Sequence, residues 1–400
     1  MRKLALLCLL APGISCSSSL SNSSEGSTNQ DGPLIVHEWG TFTSMLGSSG
    51  AVLEGLHHEE ERLPQFVHAR LFGDPLHTKG LETTPTGVTQ KLETPVLYFY
   101  AQKAQKVTVH VDFPEGVVSQ WYPEAAGYQP AIGRLGKVAG GSMDWQAELA
   151  PGISDFPAVA PDDIWAPSRK VASVPLKVGA EHEQFIFYRG LGTFTVPFRA
   201  TADADGTLSI KNDSSDAIPS IFLLRLSNAG GAITELGGLA AGQSLTKVVP
   251  PSGSRPVDDY VADAANRVAA ALQKSGLNAD EARAMVDTWS KSYFRSQGLR
   301  ILYVVPRAWT DRLLPITISP QPSSLVRTLV GRVEVLTPLD ESQLADQVRA
   351  AAASEMPSTD LIAKLDRFAE PKLRRVQQLV TEPAVQTYLS NAISAAQFQP

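Results

Sequence analysis

Val107-Thr108-Val109-His110-Val111-Asp112-Phe113 alternates apolar and polar residues with a period of two. That period places the valines on one face of a strand and Thr108, His110 and Asp112 on the other. Similar runs recur at Leu34-Ile35-Val36, Val96 to Tyr100, Phe185 to Tyr188, Leu208 to Lys211, Ser220 to Leu226 and Leu245 to Val249. Gly, Asn and Asp punctuate them, as in Asp203-Ala204-Asp205-Gly206 and Asn228-Ala229-Gly230-Gly231. Short strands with such turns predict antiparallel sheets packed as a sandwich. After the Pro- and Ser-rich stretch 250–256 the period changes to that of a helix. Val261, Ala264, Ala265, Val268 and Leu272 form one stripe; Ala282, Met285, Val286, Trp289 and Tyr293 form a second, with Asn278 and Glu281 spaced as a capping box. Strand composition returns at Leu299 to Val305, Ile316 to Ile318 and Leu329 to Leu336, before a segment rich in Ala and Leu, broken by Pro357, Pro371 and Pro383. The expected class is α+β: an antiparallel β-sandwich-like core with a helical hairpin and a C-terminal helical segment. The expected divisions are a β-rich part at 34–250, the hairpin at 256–298, returning strands at 299–338 and helices at 339–400.

Composition fits a chain of 400 residues with a sizeable core: 43% are hydrophobic and 19% charged. Lys plus Arg number 35 against 41 Asp plus Glu, a net charge of −6 with no basic block to follow a phosphate backbone. Nucleic acid is therefore not an expected partner. Gly190-Leu191-Gly192 lacks the third glycine of a dinucleotide fingerprint, no Walker sequence occurs, and Gly-x-Ser-x-Gly is absent. Nucleotide binding and a serine nucleophile are not expected.

At the front, Arg2-Lys3 precedes an apolar run from Leu4 to Ala11, the pattern of a signal peptide ending near residue 15 and too short to span a bilayer. Residues 17–32 are Ser-rich and read as a flexible tether. Ile14-Ser15-Cys16 resembles the end of a bacterial lipobox, with Gly13 where that pattern has an aliphatic residue. The resemblance implies acylation of Cys16 and a lipid bilayer as partner. Ser17 after the cysteine implies sorting to the outer membrane, so the expectation is an exported lipoprotein, periplasmic or surface-facing. The only other cysteine, Cys8, falls in the signal segment, which leaves the folded part without a disulfide, thiolate metal site or cysteine nucleophile.

Five of the seven histidines, His37, His57, His58, His68 and His77, fall between residues 37 and 77 among glutamates. Such donor density suits zinc or another divalent metal. His-Glu-x-x-His is not matched at either His-Glu pair, so the candidate ligands are His37, His57, His68 and His77 without a spacing motif. Glu59-Glu60-Glu61-Arg62 reads as a solvated charged turn. Glu38, at the end of an apolar strand, and Glu93, before Pro95, are candidate general bases. Arg189 beside Gly190 is a candidate carboxylate or phosphate binder, and Tyr98 and Trp121 are candidate sugar-stacking surfaces.

The segments Val36 to Ser44 (VHEWGTFTS), Glu93 to Tyr100 (ETPVLYFY), Tyr188 to Gly192 (YRGLG) and Val305 to Thr310 (VPRAWT) resemble motifs of an uncharacterised group of exported bacterial proteins. That resemblance covers most of residues 34–338 and implies neither an activity nor a cofactor. Two functions stay open. One is a metal-assisted hydrolase of an envelope polymer or ester. The other is a non-catalytic β-sandwich lipoprotein that binds an envelope glycan or protein partner.

Overall fold

In the computed structural model, residues 33–70, 85–130, 138–249, 253 and 255–397 are described. The α+β class is observed, with three sheets. The largest has ten strands and begins, in spatial order, with Gly230–Leu239, Ile218–Ser227, Gly298–Val304, Ser324–Val335 and Ile35–Leu46. Gln90–Leu92 and Val96–Tyr100 both pair with Ile35–Leu46, and Ile186–Gly192, Gly116–Tyr122 and His68–Ala69 complete the sheet. A six-stranded sheet is built on the Gln105–Phe113 and Gly141–Leu149 pair, and a three-stranded sheet holds Phe198–Ala202, Thr207–Asn212 and Ser244–Val248.

The centre of the large sheet departs from the antiparallel expectation. Ile35–Leu46 pairs in parallel with Ser324–Val335 over its full length, from Ile35 opposite Ser324 to Leu46 opposite Val335. A parallel pair needs a long crossover, and here nearly the whole folded chain lies between the two partners. Alternation along one strand reports which residues share a face; it carries no information about which distant strand lies alongside.

The large sheet is buried on both faces. Val36, Phe42 and Leu46 face the smaller sheets and pack with Val107, Val109, Val111, Phe113, Trp145 and Ile210. Trp39, Tyr98, Phe187, Leu224 and Leu302 face the other way, against Tyr260, Val261, Ala264, Val268, Met285 and Trp289 of the hairpin Val257–Lys274 and Ala279–Trp289. Trp39 and Trp289 are each 1% exposed. Burying an aromatic ring withdraws roughly 150–250 Å², about 4–6 kcal/mol at 25 cal/mol per Å² before the entropy of ordering it. The C-terminal helices Pro338–Ala353, Ser358–Leu365, Ala369–Leu379 and Pro383–Ala396 have a separate apolar core around Val348, Leu373, Val376 and Leu389. They meet the rest of the molecule through Phe368, which packs with Met45, Leu53, Leu56 and Leu336. Among the described residues no helix is long and apolar enough to cross a membrane.

Gly331 shows why one small residue matters. A Cβ there would overlap the ring of Tyr303, which stacks on Phe198 at 4.3 Å between centroids.

Candidate functional site

His37 and Glu38 are neighbours in sequence on a strand, so they project to opposite faces of the sheet. Glu38, fully buried, accepts from Arg327 Nε at 2.5 Å and from the Tyr188 hydroxyl. Arg327 also donates to Asp311 at 2.9 Å. Burial together with the Glu38 charge pushes the Tyr188 hydroxyl well above the ordinary tyrosine range. His37 Nδ1 lies 2.9 Å from Glu281 Oε2 on the hairpin side. Glu281 closes the predicted capping box by accepting from the Asn278 backbone N–H at 2.6 Å, and it also accepts the Tyr100 hydroxyl at 2.7 Å. The alternation that made these two residues look like one polar group in sequence is what separates them in space.

Glu93 and Arg189 do come together. Arg189 Nε donates to the Glu93 carbonyl at 2.7 Å, and the two side chains line one small cavity with Glu60, Glu61 and Tyr293. They belong to a buried charge network on the helix-side face of the sheet, past the apolar patch beneath the hairpin. Its cations are Lys91, Arg189, Arg300, Arg332 and Arg367; its carboxylates are Glu59, Glu60, Glu93 and Glu334. Arg367 binds Glu93 at 2.8 Å and Glu60 at 2.9 Å. Arg332 binds Glu60 at 2.6 Å and Glu334 at 2.7 Å, and its guanidinium lies 4.1 Å from the Tyr293 ring centroid. Lys91 donates to Glu59 at 2.7 Å, and Arg189 binds the other oxygen of that carboxylate.

The electrostatics follow from this packing. Burial opposes ionisation of Glu93, but Arg367, Arg332, Arg189 and Lys91 overcome it and hold the carboxyl well below the usual range. Glu334 is likewise brought down to about 2 by Arg300 and Arg332 against the same penalty. Glu59 and Glu60 are lowered by Arg189 with Lys91, and by Arg332 with Arg367, again against burial. Burial lowers the Lys91 ammonium, and its nearby glutamates offset only part of that. Glu61 is raised by burial, which Ser292, Lys291 and Arg189 offset only in part. The Glu59–Glu60 turn is therefore no solvated charged turn: its carboxylates neutralise cations delivered by three separate strands and by Asp366–Phe368.

Among the described residues the histidines of the 37–77 stretch do not gather at one site. His68 binds Glu181 at 2.8 Å and Glu124 at 3.3 Å, beside Trp121. His57 sits instead against the C-terminal helices. It forms with His58 and Glu370 a group whose candidate ligand atoms all lie within 4.8 Å of one another, a set that can hold a metal ion. The four-histidine ligand set is thus corrected among the described residues. His37 and His68 are occupied by glutamates elsewhere because their strand positions fix them on other surfaces, while Glu370 and His58 enter in their place. Burial lowers the His57 imidazole against the opposing hydrogen bond to the Gln397 carbonyl, and Lys91 and Arg374 add to the lowering. His77 and Cys16 lie outside the described residues.

The remaining candidates are corrected too. Tyr98 is fully buried and donates to the Ser168 carbonyl at 2.9 Å; burial raises its hydroxyl well above the ordinary range. Trp121 is 4% exposed and lies 5.2 Å from Tyr128 between centroids. Neither offers a face to a sugar. As general bases, Glu38 and Glu93 face guanidinium groups. Arg300, Arg307, Arg327 and Arg332 all hold ion pairs, and sequence reasoning did not place them in the site. It missed Glu60, Lys91, Glu334 and Arg367. The alternation in Val330-Gly331-Arg332-Val333-Glu334-Val335, with two charges on one face of an otherwise apolar strand, was the available signal.

Larger cavities are found elsewhere among the described residues. One of about 480 Å³ lies along Glu59 to Gln65, with Val67 and Gln120. Another, of about 410 Å³, separates the end of the large sheet from the C-terminal helices and is lined by Gln297, Asp340, Gln343, Gln347, Lys364 and Leu344 among others.

No family model matches the chain, and no curated protein does. Among solved structures the chain is similar to the Fcho1 mu homology domain of Danio rerio with bound Eps15 peptide. The identity is 6%, with 76% of this chain and 98% of that one covered, at a TM-score of 0.30. It is also similar to the yeast delta-COP-I mu-homology domain complexed with a Dsl1 WxWxV peptide, at 6% identity, 77% and 99% coverage, and a TM-score of 0.28. No function passes from these proteins to this chain at such scores.

Proposed function

We propose that this protein is a non-catalytic envelope lipoprotein, exported and held at the outer membrane by an acyl chain on Cys16, that binds an envelope glycan. The cavity of about 410 Å³ between the sheet and the C-terminal helices carries the binding part of this reading. The amides of Gln297, Gln343 and Gln347 each offer a donor and an acceptor; Asp340 accepts and Lys364 donates, with Leu336 and Leu344 as apolar walls. Mixed donors and acceptors over a partly apolar floor suit a polyhydroxyl chain. The lipobox-like Ile14-Ser15-Cys16 supports the anchor.

The hydrolase reading loses support from the same structure. Glu38 and Glu93 are bound to arginines, His37 and His68 to glutamates, so the groups that would move protons are already paired. Among the described residues a divalent metal, zinc or another, enters this reading at His57, His58 and Glu370. With side-chain exposures of 10% for His57 and 3% for Glu370, such an ion would join parts of the chain rather than activate water for a polymer.

Co-sedimentation of the purified protein with isolated cell-wall sacculi tests the proposal, together with membrane fractionation of a Cys16→Ser variant. The wild type is expected to sediment, Gln343→Ala with Gln347→Ala to sediment less, and Cys16→Ser to leave the membrane fraction. Hydrolysis of sacculi or of a nitrophenyl ester that His57→Ala abolishes would overturn it in favour of the hydrolase. Saturable binding of an envelope protein, with no binding to sacculi, would overturn the glycan assignment.

A further inference from the structure

Gly55 adopts φ +105°, a conformation that favours glycine, and a Cβ there would stand 2.6 Å from Glu370 Cγ. The backbone before His57 therefore lies directly on the first turn of the Ala369–Leu379 helix. Four atoms then define the site. His57 Nε2 lies 3.2 Å from the Gln397 carbonyl oxygen, which can only accept, so Nε2 is the donor and Nδ1 is the ring nitrogen left to face Glu370. Glu370 Oε1 takes Arg374 Nε at 2.7 Å and the Gln397 amide at 3.3 Å. The other oxygen, Oε2, is buried without a hydrogen-bond donor. It faces His57 Nδ1 at 3.5 Å, and no hydrogen bond joins them.

His57 Nδ1 and Glu370 Oε2 thus face each other across a buried gap, each without a hydrogen-bond partner. A divalent cation between them would engage both. Zinc binds imidazole nitrogen at roughly 2.0–2.1 Å and carboxylate oxygen at roughly 2.0–2.2 Å, so two ligands on one tetrahedral edge are separated by about 3.4 Å. The observed gap has that width. The His58 ring stands 4.0 Å from the His57 ring between centroids, and a ligand nitrogen of it lies within 4.8 Å of the ligand atoms of His57 and Glu370. Arg374 and Gln397 hold the far sides of the ligands, as outer partners of a metal site do.

We infer that His57 Nδ1, His58 and Glu370 Oε2 form a site for a divalent transition ion, zinc by donor type, that clasps the 55–58 segment to the C-terminal helices. Two imidazoles and one carboxylate are the donor set, with a fourth position for water. The clasp makes docking of those helices metal-linked. It does not depend on the glycan or the acyl anchor, and either proposal can fail alone.

The test uses the full mature chain without a histidine tag, stripped with a chelator and titrated with zinc chloride, with metal content read by mass spectrometry. One equivalent of zinc and a rise in the melting temperature on its addition are expected. Cobalt(II) in its place is expected to show the visible bands of a tetrahedral site. His57→Ala and Glu370→Gln are each expected to weaken zinc binding more than 100-fold, beyond the roughly 10–100-fold that outer partners carry, and Arg374→Ala to fall within that lower range. His37→Ala and His68→Ala are expected to bind zinc as the wild type does. Circular dichroism of each stripped variant separates lost ligation from lost folding. Substoichiometric zinc in the wild type would overturn the site, as would unchanged affinity in folded Glu370→Gln.

Discussion

Replacing Glu93 by Gln separates a structural carboxylate from a catalytic one. The substitution keeps the shape of the side chain and removes one of the four negative charges opposite Lys91, Arg189, Arg300, Arg332 and Arg367. Arg367 is the group most affected, bound to Glu93 at 2.8 Å and 7% exposed. At an effective dielectric constant near 20, a pair whose charge centres are about 4 Å apart is worth about 4 kcal/mol. Stranding one partner of a buried pair costs about 3–5 kcal/mol. With an unfolding entropy of roughly 2.1 cal/mol/K per residue, a folded part of this size loses about 4–7 °C in melting temperature. Differential scanning calorimetry and urea unfolding followed by tryptophan fluorescence measure it.

The pH dependence sharpens the test. Because the folded-state value of Glu93 is depressed, its contribution is fully present above the unfolded value of 4.5 and is lost as pH falls through the folded value. The gap between wild type and Glu93→Gln should therefore be flat from pH 8 to 5 and narrow only in stronger acid. Adding Arg367→Met should recover part of the loss, because it removes the cation that Glu93→Gln leaves with Glu60 alone. If the gap closes between pH 7 and 5.5, or the single variant melts within 1 °C of wild type, the network reasoning is wrong and a proton-transferring Glu93 returns.

At the other face of the sheet, Glu38→Gln and Arg327→Met are each expected to cost about 3–5 kcal/mol and their combination less than the sum, a coupling that a double-mutant cycle in urea measures. Gly331→Ala should cost about 1–3 kcal/mol by overpacking against Tyr303, seen as a lower urea midpoint with an unchanged slope. His110 is raised: burial, which alone would lower it, is outweighed by Asp144 and Asp112. Its contribution is present below the ordinary value of 6.5 and lost as pH rises through the higher folded value, so His110→Gln should destabilise more at pH 6 than at pH 8.5, with melting curves at the two pH values as the check.

The sequence by itself determined what depends on local periodicity. Val107 to Phe113 forms a strand with its valines inward, and the stripes through Val261 and Met285 form the hairpin, with Asn278 and Glu281 at the second helix start. Period two and period 3.6 are set by backbone geometry, so a single segment suffices to read them. The strand beside Ile35–Leu46, and the network in which Glu60 meets Arg332 and Arg367, were decided only by tertiary structure. Charged side chains at such sites are held by partners hundreds of residues away, and burial of those partners makes the pairing necessary. The histidines follow the same rule. Among the described residues His37 and His68 lie apart on other surfaces, and Glu370, far along the chain, completes the set in which His57 and His58 can share an ion.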